Sequence, residues 1–111
     1  MRKINRLLVN SDFSRVLNEG KKFRDESFLV AMAKNQEGHL RAGISVSRKL
    51  GDAVVRVRIR RQVRAMIGSL NLIGEPIDLV IIPKPGFLKR SFRENLEALE
   101  GAIASLDRRV K

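Results

Sequence analysis

Five arginines, Arg56, Arg58, Arg60, Arg61 and Arg64, fall within nine residues, and Arg48 and Lys49 stand just upstream. Arginine presents a planar fork of N–H donors that matches phosphate, and its flat face stacks on bases. Asp52 is the one acid among these cations. The chemistry such a run can do is polyanion binding, by neutralising phosphates and releasing their counterions. Bond-breaking chemistry needs other residues. A self-sufficient protein nuclease would bring acids or histidines together on a metal or a water. The single His39 falls in an expected turn without a His, Cys or carboxylate cluster and reads as a surface residue. No Gly-rich loop precedes a Lys-Ser/Thr pair, and no nucleophile–base pair stands out.

The charge is concentrated. The 111 residues carry a formal net charge of +11, with a pI near 11.3. Seven of those eleven charges lie between Arg41 and Arg64, which argues for a binding surface rather than for general solubility. Cysteine is absent, so disulfides, thiolate metal sites and a Cys nucleophile are excluded, and a reducing compartment is expected. No apolar run approaches a membrane span, and MRKINRLLVNSDF lacks the apolar centre of a signal peptide. The expectation is a cytoplasmic protein. All five aromatic residues are Phe, which limits base stacking.

The elements that must position these residues follow from periodicity. One domain, 1–111, is expected, with an apolar content of 43% that suffices for a core. Ser11 or Asp12 can cap a helix running to about Glu19, with Phe13, Val16 and Leu17 on one face and Gly20 closing it. Lys21 to Glu26 reads as a charged connector. SFLVAMAK, from Ser27 to Lys34, fits a buried strand, and Asn35 to His39 reads as a hairpin turn. From Leu40 to Ser47 the chain alternates. Leu40, Ala42, Ile44 and Val46 point one way; Arg41, Gly43, Ser45 and Ser47 point the other. The second face is small, polar and basic, so an extended ligand can approach its backbone. A helix from about Asp52 to Ile67 ends at Gly68, and Ile77 to Ile82 reads as an interior strand, apolar on both faces. A last helix spans about Arg90 to Leu106, with Phe92, Leu96, Leu99, Ile103 and Leu106 as its core stripe and Glu94, Glu97 and Glu100 on a solvated face. The result is an α/β sandwich with helices packed against a sheet.

On a helical wheel Val55, Ile59, Val63 and Met66 cluster within roughly 80° and form the buried stripe. Arg56, Arg60 and Arg64 step along one flank, and Arg58 and Arg61 continue round the far side. With little acid to pair with, these cations repel one another unless an anion relieves them. Val57 lies about 150° from the stripe, amid the arginines. It is either a chance surface residue or a contact with a partner. Phe13 is similarly open between a core residue and a stacking platform.

Gly43 to Arg64 reads GISVSRKLGDAVVRVRIRRQVR. This segment resembles the hallmark of the bacterial ribonuclease P protein component, G-[LI]-S-V-S-[KR]-K-[LI]-G-N-A-V-x-R-N-R-[IL]-[KR]-R-x-x-R. The resemblance extends over nearly the whole chain, from the N-terminal helix to the closing helix. It implies an α+β two-layer sandwich, a mixed sheet of about four strands packed with three helices. A left-handed crossover joins two parallel strands through the arginine helix, as in a small-subunit ribosomal protein domain; general chirality rules favour the opposite hand. It also implies a division of labour. A partner RNA is the ribozyme, Mg²⁺ is bound mainly by that RNA, and the holoenzyme removes the 5′ leader of precursor tRNA. The family's RNA-contacting positions fall here on Arg48, Lys49, Arg56, Arg58, Arg60, Arg61 and Arg64. Its leader cleft falls on Phe13, Leu17, Ala31, Arg41, Ser45 and Ser47. No catalytic residue, membrane or obligate protein partner is implied. The chain departs from the family at Asp52 and Val57, where Asn is usual, and at Leu17 and Ala31, where aromatics often occur.

Other readings of the same charge remain at this level. A ribosomal or other structured-RNA-binding protein would share the composition but leave the SVSRKLGDAVV segment unexplained. A major-groove DNA reader usually sets Asn, Gln or Ser beside its arginines. A membrane-active helix would need the apolar stripe that the core requires.

Overall fold

The computed structural model describes residues 10–72 and 74–110. In chain order they form α1 (Asn10–Glu19), β1 (Lys21–Arg24), β2 (Phe28–Lys34), β3 (Arg41–Ile44), α2 (Ala53–Ser69), β4 (Ile77–Pro83) and α3 (Phe92–Val110). Short 3₁₀ turns at Arg48–Leu50 and Pro85–Lys89 precede α2 and α3. The four strands make one mixed sheet in the order β1-β2-β4-β3. β4 is antiparallel to β2 and parallel to β3, so α2 is the crossover between parallel neighbours.

The main core lies between one sheet face and the pair α2 and α3. Val30, Met32, Leu79 and Ile81 meet Ile59, Val63 and Met66 of α2 and Leu99, Ile103 and Leu106 of α3 there. On the other face, among the described residues, α1 packs and seats Val16 on Ala31 and Val80. Both long helices have built N-termini. Asp52 caps α2 by accepting from the Val55 N–H at 3.0 Å. Ser91 and Glu94 form a capping box on α3: the Glu94 N–H donates to Ser91 Oγ, and the Ser91 N–H donates to Glu94 Oε1. The Glu94 carboxyl is held below its ordinary pKa by the backbone hydrogen bond from Ser91, then by the serine hydroxyl.

Several expectations are corrected. Lys21–Arg24 is a strand, not a connector: the charges face solvent while the backbone pairs with β2 and Phe23 tucks against the core. Asn35 to His39 does not close a hairpin, because β4 inserts between β2 and β3. The strand with apolar residues on both faces takes the sheet centre, where both faces are covered. Ser11 and Asp12 lie inside α1 rather than capping it. Regular β3 pairing stops at Ile44, although the Ser45 N–H still reaches the Ile81 carbonyl at 3.0 Å. Gly68 lies within α2. The helix runs on to Ser69 and is capped by Leu70, followed by Asn71 in the left-handed region (φ 59°), a conformation Asn tolerates. Phe92, at the first position of α3, points outward and is 44% exposed.

Candidate nucleic-acid interface

α2 turns Ile59, Val63, Met66 and Ile67 inward, so the remaining arc carries the arginines outward. Val55, expected in the stripe, is half-buried at its edge. Arg56, Arg60 and Arg64 are half-buried along one flank, and Arg58 and Arg61 are exposed. Partial burial of the first three places their aliphatic stems on the protein and restricts where the guanidinium groups reach. Among the described residues, Arg48, Lys49, Arg56, Arg58, Arg60 and Arg61 make no ion pair. Arg56 Nε is buried without a hydrogen-bond partner. The Asp52 carboxylate is turned into the helix N-terminus and does not neutralise the arginines. Val57 is 50% exposed and Val54 67% exposed. Both stand beside Arg58 and Arg61 in a shallow apolar dent.

Arg48 and Lys49 project from the 3₁₀ turn between β3 and α2. Leu50 is buried and anchors this turn, and Ser47 Oγ accepts the Lys49 N–H at 3.1 Å. Ser47 therefore shapes the turn that presents Lys49. Ser45 is exposed at the end of β3. This places Ser45, Ser47, Arg48 and Lys49 on one continuous segment leading into α2.

The face between α1 and the sheet is more closed than its sequence suggests. The Phe13 ring lies on Gly43, so close that a side chain there would collide with it. Phe13 and Leu17 are half-buried against Val16, Ala31 and Val80. Phe13 thus serves the core and the surface at once. Ala31 is fully buried beneath α1, which removes it from the cleft surface and leaves it as floor for Val16.

Arg41 lies on the expected face but is not a free cation. Asp78 of β4, directly opposite in the parallel register, is completely buried and accepts two hydrogen bonds from Arg41, at 2.9 and 2.8 Å. Arg15 of α1 also donates to Asp78, and Asn35 Nδ2 donates to it at 2.9 Å. Asp12 approaches Arg41 at 3.6 Å. Burial pushes the Asp78 carboxyl up. The hydrogen bonds from Arg41 and Asn35, with the charges of Arg41 and Arg15, outweigh this and hold it below the ordinary range. The same hydrogen bond, donated to Asp78 and opposed by desolvation, raises the Arg41 guanidinium above its usual value. The two carboxylates balance the two guanidiniums, so this part of the cleft is a pinned polar network rather than a patch of net charge.

Sequence reasoning missed Asp78, Arg15 and Asn35. The available signal was an acid inside an otherwise apolar strand, because a buried carboxylate requires partners.

A mixed sheet with a cationic helix crossing between parallel strands, and Arg56, Arg58, Arg60 and Arg61 without ion pairs among the described residues, defines an α+β class suited to binding a polyanion. The comparisons narrow the class. The family model described as Ribonuclease P matches residues 1–107. The ribonuclease P protein component of Streptococcus pneumoniae (strain Hungary19A-6) is 38% identical over 87 residues, which cover 78% of this chain and 71% of the relative. The solved structure of a Staphylococcus aureus RNase P protein mutant with defective mRNA degradation activity superposes with a TM-score of 0.84 at 30% identity, over 92% of this chain and 87% of that one. The Thermotoga maritima RNase P protein superposes at 0.77 and 32% identity, over 93% and 96%. This chain belongs to the ribonuclease P protein family. Its three helices and four-stranded mixed sheet are that family's fold.

Proposed function

We propose that this chain is the protein subunit of a ribonuclease P holoenzyme. It binds the catalytic RNA through α2 and the preceding turn, and the 5′ leader of precursor tRNA through the face between α1 and the sheet. The observation that carries this reading is the guanidinium surface of α2, where four arginines make no ion pair among the described residues, on a chain of this family. Arg56, Arg58, Arg60, Arg61 and Arg64, with Arg48 and Lys49, meet RNA phosphates and release counterions. The leader runs past Ser45 and Ser47, where short side chains expose the backbone, and one base stacks on the outer face of Phe13. Arg41 and Arg15, fixed by Asp78, give that strand a rigid polar border.

The protein supplies no catalytic side chain in this reading. In this reading Mg²⁺ is held mainly by the RNA phosphates, where it assists phosphodiester hydrolysis. The protein contributes by holding substrate and ribozyme together and by screening their mutual repulsion, which matters most when Mg²⁺ is scarce. No helix among the described residues is long and apolar enough to cross a membrane.

The test is cleavage of a precursor tRNA by a bacterial ribonuclease P RNA at low Mg²⁺, with and without the protein. Release of the leader only when protein is present is the expected result. RNA binding without stimulation would make the chain a structured-RNA-binding module and overturn the catalytic association.

A further inference from the structure

The turn joining β4 to α3 stands beside α2 and closes a second cleft with it. Arg58, Ile59 and Gln62 form one wall and Phe87, Leu88 and Arg90 the other, around a cavity of about 200 Å³. Leu88 is 51% exposed, although it sits in a basic segment containing Lys84, Lys89, Arg90 and Arg93.

This exposure is built in, because the turn is anchored at both ends. The Lys84 N–H donates to the Ser27 carbonyl at 2.8 Å, and Lys84 Nζ to the Asp25 carbonyl at 2.8 Å. The buried Asn95 donates to the Phe87 carbonyl at 3.0 Å. Arg90 donates to Ser27 Oγ at 3.1 Å and to Glu26 at 2.7 Å. Gly86 lies against the Glu26 carbonyl, where any side chain would collide. The Phe87 ring is buried edge-on to Phe28, with centroids 5.5 Å apart. Leu88 is therefore held outward on a cleft that Arg58 and Arg90 also line; Arg90 is paired with Glu26, and Arg58 has no ion-pair partner among the described residues.

A rigid aliphatic surface beside two guanidiniums and an amide suits a ligand with one flat apolar face and one anionic edge. The volume falls below the ~300 Å³ at which drug-sized ligand sites begin, so it accommodates one ring system. We propose that this cleft receives a single unstacked nucleotide of a bound RNA. Its base lies on Leu88, the Gln62 amide meets the base edge, and a phosphate sits between Arg58 and Arg90. The inference rests on the RNA-binding reading of α2, and extends that surface onto the β4–α3 turn.

The test titrates wild type, Leu88→Ser, Gln62→Ala and Arg60→Ala against a ribonuclease P RNA transcript and, separately, a precursor tRNA over a range of salt concentrations. Melting curves confirm that each variant folds. Leu88→Ser and Gln62→Ala are expected to weaken binding to one of the two RNAs by at least about fivefold, with an unchanged salt slope because neither removes a charge. Arg60, outside the cleft, should lose affinity and slope together. Because the chain has no cysteine, Leu88→Cys provides a unique attachment point for a photocrosslinker, which should mark one nucleotide of that RNA. Wild-type affinity in both Leu88→Ser and Gln62→Ala, with Arg60→Ala still impaired, overturns the cleft and leaves the α2 reading standing. Absence of RNA binding by wild type overturns both.

Discussion

Asp78→Asn removes the charge from a fully buried carboxylate and keeps its shape. In the native protein Asp78 accepts from Arg41 twice, from Arg15 and from Asn35. The asparagine retains one acceptor oxygen but turns an NH₂ toward guanidinium groups and leaves Arg15 and Arg41 repelling each other. Breaking a buried ion pair costs about 3–5 kcal/mol, and Asp12, still 3.6 Å from Arg41, offsets part of the new repulsion. The Arg15 and Arg41 side chains are 33% and 21% exposed, so water recovers part of this and the loss should be about 3 kcal/mol. That corresponds to a fall in Tm of about 15 °C for a domain of this size. Urea or thermal unfolding at neutral pH measures it. The pH dependence supplies a second reading. The folded pKa of Asp78 is lowered, so its contribution is complete above the unfolded carboxylate value of about 3.9 and is lost as pH falls through the lower folded value. The stability gap between wild type and variant should therefore narrow below about pH 4. Adding Arg41→Gln to Asp78→Asn should restore more than about 1 kcal/mol by removing the repulsion. A loss under about 1 kcal/mol, or a gap that stays constant to the lowest pH at which both proteins fold, would refute the account of this network.

Three further perturbations address the RNA surfaces. Replacing Arg60 and Arg64 by Ala should weaken binding to ribonuclease P RNA and flatten the salt slope by about 1.5, at roughly 0.7–0.9 for each phosphate left without its arginine; an unchanged slope would remove that flank from the interface. Val57→Asn, which introduces the family's usual residue at a half-exposed site, should leave the melting temperature unchanged and tighten assembly if the amide finds a partner, as measured by RNA titration. Gly43→Ala should displace the Phe13 ring, at a cost of about 1–3 kcal/mol in stability, and weaken leader binding more than binding to mature tRNA. Equal effects on the two RNAs would exclude Phe13 as a leader contact.

What could be read from the sequence follows the range of the interactions involved. The α2 surface was legible because a helix is local: residue spacing alone sets Ile59, Val63 and Met66 against Arg58 and Arg61. The caps were partly legible for the same reason; Asp52 lies where its side chain can reach Val55. Strand order was only partly legible: the two apolar faces of Ile77 to Ile82 marked an interior strand, but alternation along β3 does not say whether it pairs with β2 or with β4. Lys21–Arg24 was hidden as a strand because an edge needs only one paired side, and its charges resemble those of a loop. The Asp78 network required both facts, the β3–β4 register and the position of α1. Ala31 shows the same limit: strand alternation assigns its face but not the helix that covers it.

The place of β4 in the sheet also bears on how the chain is made. A ribosome delivers α1, β1, β2, β3 and α2 before the residues of β4 appear, yet only β1 and β2 can pair without it. Until Ile77–Pro83 emerges, β3 has no neighbour in the sheet and the apolar side of α2 has only the β1–β2 pair to cover. Closing the sheet then requires pairing between segments far apart in sequence, the kind that slows folding. During that interval the arginine-bearing helix is charged on one side and apolar on the other, with only part of its sheet beneath it. The last third of the chain thus completes the platform on which the first two thirds stand.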